Sequence, residues 1–448
     1  MLMSKSRKKQ RGDARVELAV RDQVEIRMMS LEQMVPEDHF VRVVVQFVES
    51  LDLSELYQAI GSAHGKAGRA AIDPRILFSL WLFATLEGET SGRRIARLTE
   101  RDTIYMYLCG GVSVNYHTIC DFRTDHAELL ERVLTDSIAV LHQSGLIKLQ
   151  TIAQDGMRVR ASAGAGSFRR QGSLEEAREE ATKYIEQLQS DDSDDEDLTP
   201  GQRSARERAA REKLERIEEA CSQMEDLQQR YEKRNQRTNA EHRRSEPRAS
   251  MTDPDARRMK MGDHGFRPAL NVQFASDADA LVIVNVDVVS TGSDAGLLKP
   301  MYEDTCNRYQ TRPGNYLADG GFSKKEGVTA VERAGTTFFG PIPNERKQLA
   351  AGKDPYAPRS GENKHYTEFR ARMATEEAKA MYRRRAAAAE FPNANCRNMG
   401  LTQFRVRGLL KAKAQSLWHA LAYNFRRLCS LRVKDSEQTF MQVLLKGT

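Results

Sequence analysis

The sequence predicts a mixed α/β chain, with a helical N-terminal region and then a core of strands and helices interrupted by a charged helical hairpin. Three observations carry this. Apolar residues recur at helical spacing from Phe40 to about Leu146. Alternating, β-branched segments appear only from Leu149 onward. Residues 173–244 form a compositional island of 20 acidic and 14 basic residues with no Trp or Phe. At 448 residues, the chain has room for roughly three units of about 150 residues each.

Taken in order, residues 1–12 carry Lys5, Arg7, Lys8, Lys9 and Arg11 and no acid. Both a solvated tail and an arm lying on a DNA backbone fit that pattern. No signal-peptide apolar block follows, and the longest apolar run, Ile76 to Leu86, is about half of what a membrane span needs. The six cysteines show no CxxC spacing and read as reduced thiols in a cytoplasmic protein. Asp73-Pro74 is a helix start, because Pro at the first helical position sacrifices no intrahelical bond. It opens Ile76–Phe83, apolar on nearly every side and so the expected centre of the N-terminal unit. Ser91 to Leu98, the Gly110-Gly111 break and Asn115 to Arg123 suggest a helix-turn-helix layout offering Arg93, Arg94 and Arg123 to DNA.

The island opens with a capping-box pattern, Ser173 with Glu176. Leu174, Ala177, Ala181, Tyr184 and Leu188 then recur at three- and four-residue steps. The acidic run Asp191–Asp197 and the Thr199-Pro200-Gly201 break separate this stripe from a second, Leu214, Ile217, Cys221, Met224, Gln228 and Tyr231. Two thin stripes joined by a polar turn predict a protruding antiparallel hairpin. Beyond it, Ala269–Phe274 alternates, Leu281–Val289 reads as a central strand, and Gly296–Tyr309 as a helix. Tyr316–Ala318 and Thr336–Gly340 are short strands. Helices from Glu368 to Phe391 and from Leu409 to about Arg432 close the chain.

Chemistry-bearing residues follow from these elements. Leu149–Gln154 predicts a strand ending at Asp155-Gly156, and Tyr316–Ala318 one ending at Asp319-Gly320-Gly321. Glycine beside an acid lets the backbone turn and an anionic ligand approach. Glu390 follows Tyr382, Arg383, Arg384 and Arg385 on the closing helix. On a helical wheel Tyr382 and Arg385 share a face, with Glu390 about 80° round from Tyr382. Carboxylates converging from such positions suit hard cations that bind phosphate oxygens. Asp263 (beside His264), Asp287 and Asp294 compete for that role. Asp294 reads as a helix N-cap, Asp287 as locally hydrogen-bonded and His264 as an exposed turn residue.

Four segments resemble the DDE-type (Asp-Asp-Glu) insertion-sequence transposases with an InsH-like helical N-terminal domain. They are Phe40–Arg123, with Ile72-Asp73-Pro74 and Thr118–Arg123; Gln154–Ala161; Leu317–Phe322; and the Y-x2-R-x4-E spacing of Tyr382, Arg385 and Glu390. Arg397 stands where the family usually has Lys. The resemblance implies an RNase H-like catalytic core in which Asp155, Asp319 and Glu390 hold two Mg²⁺ (or Mn²⁺) ions. Tyr382, Arg385 and Arg397 would contact DNA phosphates. The implied reaction is nicking at element ends followed by attack of the freed 3′-hydroxyl on target DNA. The implied partners are terminal inverted repeats, target DNA and further copies of the chain in a synaptic dimer or higher assembly, at the nucleoid and away from membranes. A catalytically silent repressor of element ends, or an RNase H-like nuclease without strand transfer, are the rival readings. The expected units are a basic arm and lead-in at 1–37, the DNA-binding helical domain at 38–145, the core at 146–172 and 245–448, and the insertion at 173–244. The insertion is net −6, so a chain of formal charge +6 has a body of +12.

Overall fold

The computed structural model describes residues 22, 24, 26, 28–61, 70–189, 199–236, 246–433 and 437–447. The basic stretch at 1–12 and the acidic run Asp191–Asp197 lie outside the described residues. Eight helices come first: α1 Leu31–Met34, α2 Phe40–Ser50, α3 Ser54–Gln58, α4 Pro74–Leu86, α5 Gly92–Leu98, α6 Thr103–Cys109, α7 Tyr116–Asp125 and α8 Ala127–Gln143. Asp73 caps α4 by accepting from the Arg75 N–H, and every residue from Leu77 to Leu86 is buried, so α4 is the centre of the bundle. Where the sequence suggests helix, turn, helix, the chain forms three helices. α6 intervenes, ends at left-handed Gly110, and leaves α5 packed on α7. That contact needs Gly92, since a Cβ there would lie 2.5 Å from Cys120 Sγ.

The core sheet contains β1 Thr151–Arg160, β4 Arg257–Lys260, β5 Phe266–Asp277, β6 Ile283–Val289, β7 Asn315–Ala318 and β8 Thr337–Phe339, while β2 Phe168–Arg169 and β3 Ala249–Ser250 form a separate two-stranded ladder. β1 lies antiparallel to β5 and parallel to β7, which is parallel to β8. β4 and β6 share the other edge of β5, β4 near its start and β6 along the rest. The run β6–β5–β1–β7–β8, three antiparallel strands followed by two parallel ones, is an RNase H-like order.

β6 is an edge strand, not the central one its β-branched residues suggest. Helices bury it instead. α9 Gln171–Gln189 and α10 Pro200–Asn235 form the inserted hairpin; α11 Leu298–Tyr309, α12 Lys325–Arg333, α13 Glu345–Ala350, α14 Lys364–Arg372, α15 Glu376–Arg385, α16 Phe391–Asn398, α17 Leu409–Ser430 and α18 Phe440–Gly447 complete the chain. Asn424 of α17 takes the place of a neighbouring strand. Its Oδ1 accepts from the Ile283 N–H at 2.8 Å and its Nδ2 donates to the Ile283 carbonyl at 2.7 Å. The backbone N–H and carbonyl of Ile283, which an open edge would leave unpaired, are thereby satisfied.

The hairpin is present, but its start differs from the capping-box reading. α9 begins at Gln171, which leaves Ser173 inside the helix. The capping box forms at Thr199 with Gln202, and the Thr199-Pro200 break is the entry to α10. Leu174, Ala220, Met224 and Ala249 make a small core apart from the main one. Both ends of the hairpin return to the β2–β3 ladder.

α17 joins the N-terminal bundle to the sheet. Leu417, Leu421, Phe425 and Leu428 are buried as the sequence predicts, whereas Leu410 is 77% exposed. The Trp418 ring lies 4.8 Å from Phe78 and 6.3 Å from Phe122, and its indole N–H donates to the Arg123 carbonyl at 3.2 Å. Trp418→Ala removes this contact from both units at once. It is expected to cost about 3–5 kcal/mol, measured by urea denaturation of the full chain, with helix and sheet signals lost at a lower midpoint.

Candidate active site

Strand register brings the two aspartates together. Gln154 of β1 pairs with Ala318, the last residue of β7. In a parallel pair about 4.8 Å apart, the next residues, Asp155 and Asp319, are therefore lateral neighbours. Asp155 differs from the strand-end expectation: β1 continues through it to Arg160, and Asp155 sits opposite Phe274 of β5. Asp319 does follow the end of β7, where its carboxylate accepts the Gly321 N–H at 2.7 Å.

The third acid arrives through a π-helical turn. Ala386–Glu390 is π-helix, between α15 and α16. A π turn links residue i to i+5, which is the spacing of Arg385 and Glu390, and Nη1 lies 3.6 Å from Oε1. The wheel built on uniform α-helix therefore misplaces Glu390. The x4 spacing is the inserted residue of a π bulge. Arg385 also donates through Nη2 to Asp155 Oδ1 at 3.0 Å, bridging the carboxylate of the strand and that of the helix.

Asn393, one turn beyond Glu390, was not singled out from the sequence. Its Nδ2 donates to Asp155 Oδ2 at 3.0 Å, and its Oδ1 is buried with no partner. The available signal was its i+3 position from Glu390. Burial raises the Asp155 pKa; the Arg385 guanidinium opposes this and the Asp319 charge adds to it. The Tyr382 phenol is also raised, first by burial. Arg385 pulls it down, while Asp319, Asp155 and Glu390 push it up. The half-buried Tyr382 therefore senses all three acids. Arg397 is exposed on α16, seven residues past Glu390 and so on nearly the same face.

The other sequence-derived residues lie elsewhere. Asp263 is in the β4–β5 turn, where Arg267 lowers its carboxyl to about 2, and His264 occupies the left-handed turn position beside it. Asp287 accepts from its neighbour, the Val288 N–H, at 2.8 Å. Asp294 is not a helix cap: α11 is preceded by Leu297 with no side-chain cap bond, and the Asp294 side chain turns toward the sheet. In the N-terminal bundle Arg93 is exposed, its guanidinium 5.0 Å from the Tyr116 ring, and Arg94 pairs with Glu89 at 2.9 Å. Arg123 is only 6% exposed; it donates to the Thr90 carbonyl at 2.9 Å and stacks over Trp81. The structure gives Arg123 to packing.

Among the described residues, no group of three or more His, Cys, Asp or Glu is gathered closely enough to hold a metal ion as it stands. The donor chemistry nevertheless fits a hard divalent cation. Asp155 neighbours Asp319 across the parallel strands and shares the Arg385 guanidinium with Glu390. Asp155 spends one acceptor position on each oxygen with Arg385 and Asn393, keeping others free. Glu390 is 66% exposed and free to turn inward.

The sheet thus has an RNase H-like order, with two aspartates side by side and a helical glutamate near one of them. Comparison with protein families makes this particular. Residues 29–125 match a transposase domain and residues 356–429 match a transposase DDE domain. Together the matches support an insertion-sequence DDE transposase, in agreement with the resemblance read from the motifs, and imply DNA as its partner. The first spans Arg93, Arg94 and Arg123; the second spans Tyr382, Arg385, Glu390 and Arg397; Asp155 and Asp319 lie between them. No curated protein and no solved structure matches the chain.

The raised Asp155 pKa has a measurable consequence. Its contribution to stability is fully present below the unfolded carboxyl value of about 3.9 and is lost as pH rises through the higher folded value. Asp155→Asn, uncharged throughout, should therefore melt above wild type at pH 7 without divalent ions. The gap should close as pH falls toward about 4, as followed by thermal denaturation.

Proposed function

We propose that this chain cuts the ends of its element and joins the freed 3′-hydroxyl to target DNA, with Asp155, Asp319 and Glu390 holding two Mg²⁺ or Mn²⁺ ions. The observation that carries the reading is the register of β1 and β7, which makes Asp155 and Asp319 neighbours, together with the π turn that returns Glu390 to Arg385. Bound divalent ions would supply a nucleophilic oxygen and charge neutralisation at the phosphate.

The chain's own groups would do the rest. In the first step water attacks the phosphorus, the P–O3′ bond breaks and the 3′-hydroxyl leaves. In the second that hydroxyl attacks a target phosphodiester, so one P–O bond forms for each one broken and no external energy source is needed. Arg385, once turned from Asp155, and Arg397 would pair with non-bridging phosphate oxygens. Half-buried Tyr382 keeps its phenol protonated beside three carboxylates and would donate to a phosphate oxygen. Arg at 397 retains the charge of the family's usual Lys but presents a planar fork.

Residues 38–145 would recognise element ends, residues 146–172 and 245–448 would carry catalysis, and the 173–244 hairpin would mediate contacts between copies in a synaptic dimer or larger assembly at the nucleoid. The basic stretch at 1–12 would add backbone affinity. Among the described residues, no helix is long and apolar enough to cross a membrane.

The test is incubation with Mg²⁺ and duplexes bearing the flanking inverted repeats. Wild type is expected to nick and join, and Asp155→Ala, Asp319→Ala and Glu390→Ala to do neither while still binding. Cutting without joining would replace the reading by a nuclease, and binding without cutting by a silent repressor. DNA affinity also separates surface from packing residues. Arg93→Ala should lower the slope of log K against log salt by about 1. Arg123→Met should leave that slope unchanged and lower the melting temperature.

A further inference from the structure

Asp294 has no role in the proposed chemistry and does not cap α11, yet its carboxylate is held from three directions. Oδ1 accepts from Asn271 Nδ2 at 2.8 Å and from Gln273 Nε2 at 3.0 Å, while Arg158 lies 3.8 Å from Oδ2. The Gln273 bond is one link of a chain that crosses the sheet. Gln273 Oε1 accepts from Gln154 Nε2 at 3.0 Å, and Gln154 Oε1 accepts from the Tyr316 hydroxyl at 3.0 Å. Tyr316, Gln154, Gln273 and Asn271 are each at most 1% exposed. The chain thus runs from β7 through β1 to β5 and ends on Asp294. Gln154 immediately precedes Asp155, and Tyr316 stands three residues before Asp319.

The glycines of both acidic motifs face the same carboxylate. A Cβ on Gly156 would lie 2.5 Å from Asp294 Oδ1 and 2.5 Å from Gln273 Nε2. A Cβ on Gly321 would lie 2.9 Å from Asp319 Oδ1 and 3.4 Å from Asp294 Cβ. Neither glycine has a positive φ, so each is needed for room and not for a turn. At Gly156 the room is taken by Asp294 and Gln273 together, and at Gly321 by the Asp319 carboxylate with Asp294 in van der Waals contact behind it.

We infer that Asp294 is a positioning residue that terminates this buried chain and, wedged against Gly156 and Gly321, sets the separation of Asp155 and Asp319. The inference rests on the reading that those two aspartates hold divalent ions. A buried hydrogen-bonded chain holds its members in place, and of these amides only Asn271 Oδ1 lacks a partner. Without Asp294, the amides of Asn271 and Gln273 lose their shared acceptor, the side chain of Gln154 is free to turn, and the spacing of the two aspartates relaxes. Outer-shell partners of this kind change metal affinity or activity by roughly 10–100-fold.

The experiment uses the full chain. Mn²⁺ alone is titrated and free Mn²⁺ followed by electron paramagnetic resonance. In parallel, nicking of inverted-repeat duplex is measured against Mg²⁺ concentration. Asp294→Ala is expected to weaken Mn²⁺ binding and raise the half-saturating Mg²⁺ by roughly 10–100-fold, with a smaller loss of rate at saturating Mg²⁺. Asp294→Asn, which keeps an acceptor for both amides, should fall between, and Gln273→Met should shift in the same direction. A folded Asp294→Ala with wild-type Mn²⁺ affinity and Mg²⁺ dependence overturns the inference. If that variant fails to fold, wild-type values for both Asp294→Asn and Gln273→Met overturn it equally. Failure of the underlying reading looks different: Asp155→Ala then binds Mn²⁺ as wild type does, and the inference falls with the reading.

Discussion

Burial of one helix, α17, between the N-terminal bundle and the sheet is the constraint on which the rest depends. Every residue from Ala414 to Phe425 is buried, polar Gln415, Ser416, His419 and Asn424 included, so this helix lies inside and not on a surface. Trp418 reaches into the bundle against Phe78 and Phe122, and Asn424 completes the open edge of β6. The bundle and the sheet consequently share one apolar core.

The site depends on two backbone devices. A parallel ladder between β1 and β7 delivers the aspartates side by side, and a π turn holds the glutamate back beside Arg385, about one residue short of where an α-helix would carry it. Arg385 occupies the space between them and partly neutralises a cluster whose burial would otherwise oppose ionisation. A planar guanidinium of this kind is also suited to a phosphate.

Charge is partitioned along the same lines. By sequence the insertion carries the acidic excess, and the small core of its described helices is separate from the main one. The body retains +12 for a polyanionic partner. Within it, not every arginine is available. Arg123 is placed among aromatic rings and carbonyls, and its spacing beside Arg93 and Arg94 says nothing of that burial.

Much of the fold was legible from periodicity. The Asp73-Pro74 start, the helical first third, the hairpin and the strands after Leu149 follow from side-chain spacing and local capping, which act over a few residues. The motifs at Asp155, Asp319 and Tyr382–Glu390 were legible by type and spacing. Other features came only from contacts between segments far apart in the chain. β6 reads as central because helix burial and strand burial select the same β-branched residues. Gly156 reads as a turn because a Cβ clash with Asp294, more than a hundred residues away in sequence, leaves no local trace. Asn393 and Asp294 gain their roles from side chains on other elements. The sequence by itself determined which segments are helix or strand and which residues can carry the chemistry. Only the tertiary structure decided their register, their partners and their exposure, because hydrogen bonds across the sheet and one extra residue in a helical turn place them.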